Sequence, residues 1–122
     1  MKLNYDCVRD VMLYLEENLC FKEFLLSSDI NLNYTQEDID YSIIKLEEAN
    51  FIIIQDESTL ENTEIYIHDI TFYGHKFIGE IQSDTIWDKT KSVSKDLGIQ
   101  TINGITQIAS SVISGLILSK LG

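Results

Sequence analysis

The residues equipped for chemistry in this chain are two histidines, two cysteines and a surplus of carboxylates. His68 and His75 lie seven positions apart, with Asp69 beside the first. Zinc sites place histidines at i, i+4 or use CxxC pairs, and this spacing is neither. His75 is expected to be a capped or hydrogen-bonded structural residue. Glu16-Glu17, Glu37-Asp38 and Glu47-Glu48 are adjacent pairs. Neighbours on a helix diverge by roughly 100°, so such pairs do not converge on one bond as acid/base catalysis requires. Cys7 and Cys20 form neither a CxxC motif nor a disulfide framework. Cys7 is expected to be a small residue within a helix. Neither a Gly-rich phosphate loop nor a GxSxG nucleophile motif occurs. The expectation is a protein without catalytic residues, bound metal or cofactor.

Charge narrows the partners. The chain has 122 residues, 44% of them apolar, no proline, and a formal net charge of −11. That composition fits one small globular domain with a tail and excludes wholesale disorder. Residues 1–60 hold thirteen acidic and four basic residues, a balance of −9, and residues 61–122 stand at −2. Affinity for a phosphate backbone comes from Lys and Arg displacing counterions. An acidic surface instead suits solubility or a basic protein partner. Glu37, Asp38, Asp40 and Glu57 are the candidate contacts to such a partner, possible examples being basic host proteins. Charges run throughout residues 1–20, so no secretory leader is expected there. With so few cysteines, the expected location is a reducing cytoplasm.

The elements that position these groups follow from periodicity. Val8, Val11, Met12, Leu15 and Leu19 form one apolar stripe, predicting a helix over 5–19 capped by Asn4. Residues 20–34 offer a short strand or buried turn around Phe21, Phe24, Leu25 and Leu26. Ile39, Ile43, Leu46 and Ala49 predict a second helix over 35–49, capped by Thr35 in a variant capping box with Asp38. Asn50 stands where helices end in a left-handed residue. Residues 51–54 and 64–68 are β-branched or alternating runs joined by a polar loop, so a hairpin is expected. Residues 69–81 return to helix, with Thr71 as cap and Phe72, Phe77, Ile78 and Ile81 facing the core. Gly74 and Gly79 there predict close packing or a bend. Trp87 anchors a further turn or helix.

Residues 98–119 carry no charge, a length able to span a bilayer. Their polar content argues instead for an amphipathic helix, with Ser111, Gly115 and Ser119 as a small-residue ridge. The helix is expected to pack against its own domain or against another copy; self-association, giving a homo-oligomer, would run through Ile105, Ala109, Val112, Gly115 and Leu116. Membrane association through 98–122 is disfavoured because the segment has no Lys/Arg-rich polar face.

The order helix, short strand, helix, strand, loop, strand, helix is that of a winged helix. The fold expected is α+β, a winged-helix-like domain over 1–95 with an additional C-terminal helix over 96–122. A separate middle helix is not evident, so the helix-turn-helix is expected to be shortened. Three stretches then resemble one family. They are Tyr5-Asp6-Cys7-Val8-Arg9-Asp10 running into Leu13-Tyr14-Leu15-Glu16-Glu17-Asn18; Leu46-Glu47-Glu48-Ala49-Asn50-Phe51-Ile52; and Asp69-Ile70-Thr71, Gly74-His75-Lys76-Phe77 and Trp87-Asp88-Lys89-Thr90-Lys91. The set resembles the bacterial and phage family designated domain of unknown function 2513, over residues 1–95 and more loosely beyond. The resemblance implies a winged-helix-like fold and a prophage or mobile-element setting in a Gram-positive bacterium. It implies no activity and carries over no catalytic residues.

In a winged helix, residues 35–49 take the recognition-helix position and 51–68 the wing. The first offers Gln36 and Lys45 against five carboxylates; the second offers Asp56, Glu57, Glu61 and Glu64 and no cation. That is the wrong sign for phosphate contact, so DNA is disfavoured as a partner. A dimeric DNA-binding regulator remains the alternative, with Lys89, Lys91 and Lys95 as its phosphate contacts.

Overall fold

The computed structural model describes residues 1–121. In chain order the elements are α1 (Tyr5–Asn18), β1 (Leu25–Leu26), a 3-10 turn (Ser27–Asp29), α2 (Gln36–Glu48), β2 (Ile52–Asp56), β3 (Ile65–Ile70), α3 (Phe72–Ile81), α4 (Asp84–Leu97) and α5 (Ile102–Leu121). The fold is α+β. The sheet order is β1-β3-β2, all antiparallel, with β3 central and β1 and β2 as edges. This arrangement is compatible with a winged-helix-like fold. The place of its middle helix is taken by the three-residue 3-10 turn.

Two compact units are present, Met1–His75 and the chain from Lys76 onward. The boundary differs from the division near residue 95 read from the sequence. The reason is that α4 continues to Leu97 and packs along α5, so the two helices share one unit.

In the first unit α1 buries Cys7, Val8, Val11, Met12 and Leu15. Asn4 caps it, its side-chain oxygen accepting from the Cys7 N–H at 3.1 Å. Thr35 caps α2 by accepting from the Asp38 N–H at 3.1 Å. Such a cap contributes about 1 kcal/mol. Burying Ile39, Ile43 and Leu46 contributes about 1.5–3 kcal/mol each, so packing rather than capping fixes α2. The helix ends at Asn50, whose φ of 65° is left-handed. The Phe51 N–H then reaches back to the Leu46 carbonyl at 3.0 Å and turns the chain into β2.

The hairpin between β2 and β3 is pinned by its own polar groups. The Glu57 N–H donates to the Glu64 carbonyl at 2.8 Å and the Thr59 N–H to the Asn62 carbonyl at 2.7 Å. Leu60, at the tip, is fully exposed. Thr71 caps α3 by accepting from the Gly74 N–H at 3.0 Å. Phe77, Ile78 and Ile81 are buried, whereas Phe72, expected in the core, is exposed.

In the second unit Ser83 caps α4, and Trp87 is buried as the expected anchor. Gly98, with φ of 70°, ends α4. This left-handed residue is why the uncharged stretch begins its helix at Ile102 rather than at 98. Thr101 caps α5, accepting from the Gly104 N–H at 3.0 Å. The buried face of α5 is Ile102, Ile105, Ile108 and Ala109.

Candidate functional site

Helix α2 and the hairpin face each other across a groove of about 600 Å³ in the first unit. Glu37, Asp40, Tyr41 and Ile44 line it from α2, and Asp56 and Ile65 line it from the hairpin. The helical repeat explains the set: positions 37, 40, 41 and 44 share the face next to the buried stripe. The groove therefore has an apolar floor and carboxylates on both walls. Asp56 accepts from the Ser58 N–H at 3.0 Å, and its hydrogen bonds to Ser58 hold it below the usual carboxylate range. Asp40 is oriented by the Gln36 amide at 2.9 Å.

Of the four residues predicted for a basic partner, the groove brings two together, Glu37 and Asp40. Asp38 sits at the start of α2 and is engaged through its N–H with Thr35. Glu57 lies on the hairpin, accepting from the Gln55 amide at 2.5 Å. Asp56 completes the acidic groove, and its convergence with α2 depends on strand register that the sequence alone does not reveal.

The two residues of α2 able to read a base are both engaged in contacts within the chain. Gln36 donates to the Ser27 carbonyl at 3.1 Å as well as to Asp40. Lys45 pairs with Glu48 at 3.0 Å and lies 5.3 Å from the Tyr41 ring centre. No Lys or Arg occurs between Lys45 and Lys76. The first unit holds sixteen acidic and four basic residues, a balance of −12, and the second four acidic and five basic, a balance of +1.

In the second unit Ile105 and Ala109 are buried in the chain itself, which removes them from any surface offered to another copy. Val112 is half-buried, and Gly115 and Leu116 are exposed. These last three line a furrow of about 660 Å³ with Lys89, Val93 and Leu97 of α4. A second furrow, about 320 Å³, lies beside Ile86, Ile113, Leu116, Ile117 and Leu121. Helix α5 has 20 residues against 14 in α4, an excess of about 9 Å. Its apolar character continues along that excess: Leu118 is 68% and Leu121 80% exposed. Among the described residues α5 is the one helix long and apolar enough to cross a membrane by length and composition.

Of the three candidate phosphate contacts, Lys91 and Lys95 are four positions apart and share one face of α4, and Lys89 lies apart from them. Lys89 borders the furrow, whereas Lys91 lies 6.0 Å from the Trp87 ring centre. Two positions along a helix separate them by roughly 200°. Lys95 is exposed.

Cys7 is buried and Cys20 exposed, and burial pushes the Cys7 thiol up. No group of three or more His, Cys, Asp or Glu among the described residues is placed to hold a metal. His68 is hydrogen-bonded to Gln55 at 3.2 Å.

The sequence of residues 2–100 matches the family model described as "Hypothetical protein (DUF2513)". The chain belongs to this family. A relative from Haemophilus influenzae (strain ATCC 51907 / DSM 11121 / KW20 / Rd), titled "Uncharacterized protein", is 27% identical over 118 residues. The match covers 96% of this chain and 99% of that one. It therefore takes in α5, which lies beyond the end of the family match. No solved structure matches.

Proposed function

We propose that the chain is a non-catalytic, cytoplasmic protein that works through protein–protein contacts. Its acidic first unit receives a basic protein partner, and its second unit associates with another copy. The observation that carries this reading is the groove between α2 and the hairpin, where Glu37, Asp40 and Asp56 stand. A DNA-binding winged helix needs cations at those two elements. Here Gln36 and Lys45 are engaged within the protein and the hairpin has no cation. Fold likeness alone does not override that.

Self-association fits the charge division. The second unit, at +1, is the part of the chain that two copies can bring together without opposing acid. A phage or prophage setting for the protein rests on the family resemblance alone.

The test is equilibrium binding to duplex DNA and to an arginine-rich peptide, from low to physiological salt. Peptide binding that weakens with salt, with no DNA binding at low salt, is the expected pair of results. Tight DNA binding with a steep salt slope would move the chain to the alternative, a dimeric DNA-binding regulator.

A further inference from the structure

We infer that the outward face of the three-stranded sheet is a binding site for guanidinium groups, formed by Phe24, Tyr66 and His68 with Glu57 and Glu64 at its rim. The inference rests on the basic-partner reading above and deepens it, because it names the chemical group recognised and a site separate from the acidic groove.

The site is a product of strand pairing. Along β3, Ile65 and Ile67 are buried, while Tyr66 between them is half-buried and His68 after them is exposed. Strand alternation sends the second pair to the outward face. Leu26 of β1 pairs with Tyr66, and Gln55 of β2 pairs with Tyr66 from the other side. Phe24, immediately before β1, then lies over the same face. Its ring meets Tyr66 edge-on at 5.1 Å and His68 at 6.1 Å. Phe24 is 53% exposed, although nothing in its own sequence neighbourhood predicts an aromatic cluster.

Carboxylates complete the face. The Tyr66 hydroxyl donates to Glu64. The Gln55 amide donates to Glu57 at 2.5 Å, and its carbonyl end meets the His68 ring at 3.2 Å. Each polar tip of the aromatic cluster is thus tied, directly or through Gln55, to an acid. The hydrogen bond to Glu64 first, then burial, then the negative charges of Glu64 and Glu57 push the Tyr66 phenol's pKa up and keep it neutral.

Aromatic rings beside carboxylates favour a cation, since ring face and acid both present negative potential. A guanidinium suits this geometry better than an ammonium. It stacks flat on a ring while its fork of N–H groups still reaches carboxylate oxygens. The −12 balance of the unit steers such a peptide toward it, and the rings then discriminate arginine from lysine.

The experiment titrates the full chain with an arginine homopeptide and a lysine homopeptide of equal length. Affinity is read by calorimetry, and the location by amide and ring chemical shifts. Phe24→Leu removes the ring and keeps an apolar side chain at an exposed position; Glu37→Gln with Asp40→Asn discharges the groove instead. The arginine peptide is expected to bind more tightly, to shift Phe24, Tyr66 and His68, and to lose roughly five- to tenfold in affinity in Phe24→Leu. The lysine peptide is expected to be almost indifferent to that change. Equal affinity for both peptides, no effect of Phe24→Leu, and shifts confined to the α2 groove would overturn this site and leave the basic-partner reading standing. No binding of either peptide at low salt would overturn both.

Discussion

Gly74 lies directly against the backbone of Phe51. A Cβ at position 74 would overlap the Phe51 carbonyl oxygen and crowd the Ile70 side chain. That carbonyl already accepts from the Thr71 N–H at 3.0 Å, so it has little freedom to move. The contact joins the start of α3 to the start of β2, the strand that carries one wall of the acidic groove.

Gly74→Ala is therefore expected to destabilise the chain by about 1–3 kcal/mol, the usual range for overpacking. Gly79 is the internal control. It sits in the same helix with open space around it, so close packing expected at both glycines holds at one. Gly79→Ala is expected to stabilise by about 0.4–1 kcal/mol. Denaturant unfolding of the two variants checks the opposite signs.

Glu80 is a carboxylate 9% exposed in the second unit. It accepts from the Ser110 hydroxyl at 2.9 Å and pairs with Lys76 at 3.2 Å. Ser110→Ala leaves this acid with a missing donor, at an expected cost of about 1–3 kcal/mol. The Lys76 pair is solvent-exposed on the lysine side, and Lys76→Ala is expected to cost under about 1 kcal/mol. Thermal unfolding of both variants gives the comparison.

Tyr34 donates to Asp10 at 2.6 Å, joining the segment before α2 to α1. Burial first, then the hydrogen bond to Asp10 and the nearby negative charges, push its ionisation well above the ordinary value of 10.0. The fold thus favours the neutral phenol. Its contribution is fully present below the ordinary value and is lost as pH rises through the raised one. An alkaline absorbance titration should show Tyr34 ionising late, together with unfolding. Tyr34→Phe is expected to flatten the alkaline fall in stability.

Leu116 lines both furrows beside α5. Leu116→Asp is expected to abolish concentration-dependent self-association while leaving helical content unchanged. Gly115→Leu, which fills one furrow, is expected to weaken it. Sedimentation reads both. An unchanged mass together with flotation on vesicles would reassign this surface to lipid.

The helices, their caps and the hairpin were legible because each is written in local spacing. Asn4, Thr35 and Asn50 announce their roles within three or four residues of where they act. The acidic groove was half legible: Glu37 and Asp40 share a helix face, but Asp56 joins them through tertiary placement of β2. The aromatic face was hidden, because Phe24 lies in an irregular segment and meets Tyr66 and His68 only through antiparallel register. The division into units was hidden for a related reason. Gly98 ends α4 at the head of the uncharged run, and α4 packs along α5 and belongs with it rather than with what precedes it. Burial of Ile105 and Ala109 follows from the same pairing.

Strand β2 is an open edge of the sheet, and its Ile53 is 50% exposed. Such an edge is a template for another strand. Here any two edges that approach bring together units of −12 each, and their repulsion extends over about 10 Å at 0.1 M salt. The colloidal stability of the protein is thereby an electrolyte property. Dilute buffer keeps the edges apart, and concentrated salt or neutralisation by an excess of polycation lets them meet and aggregate.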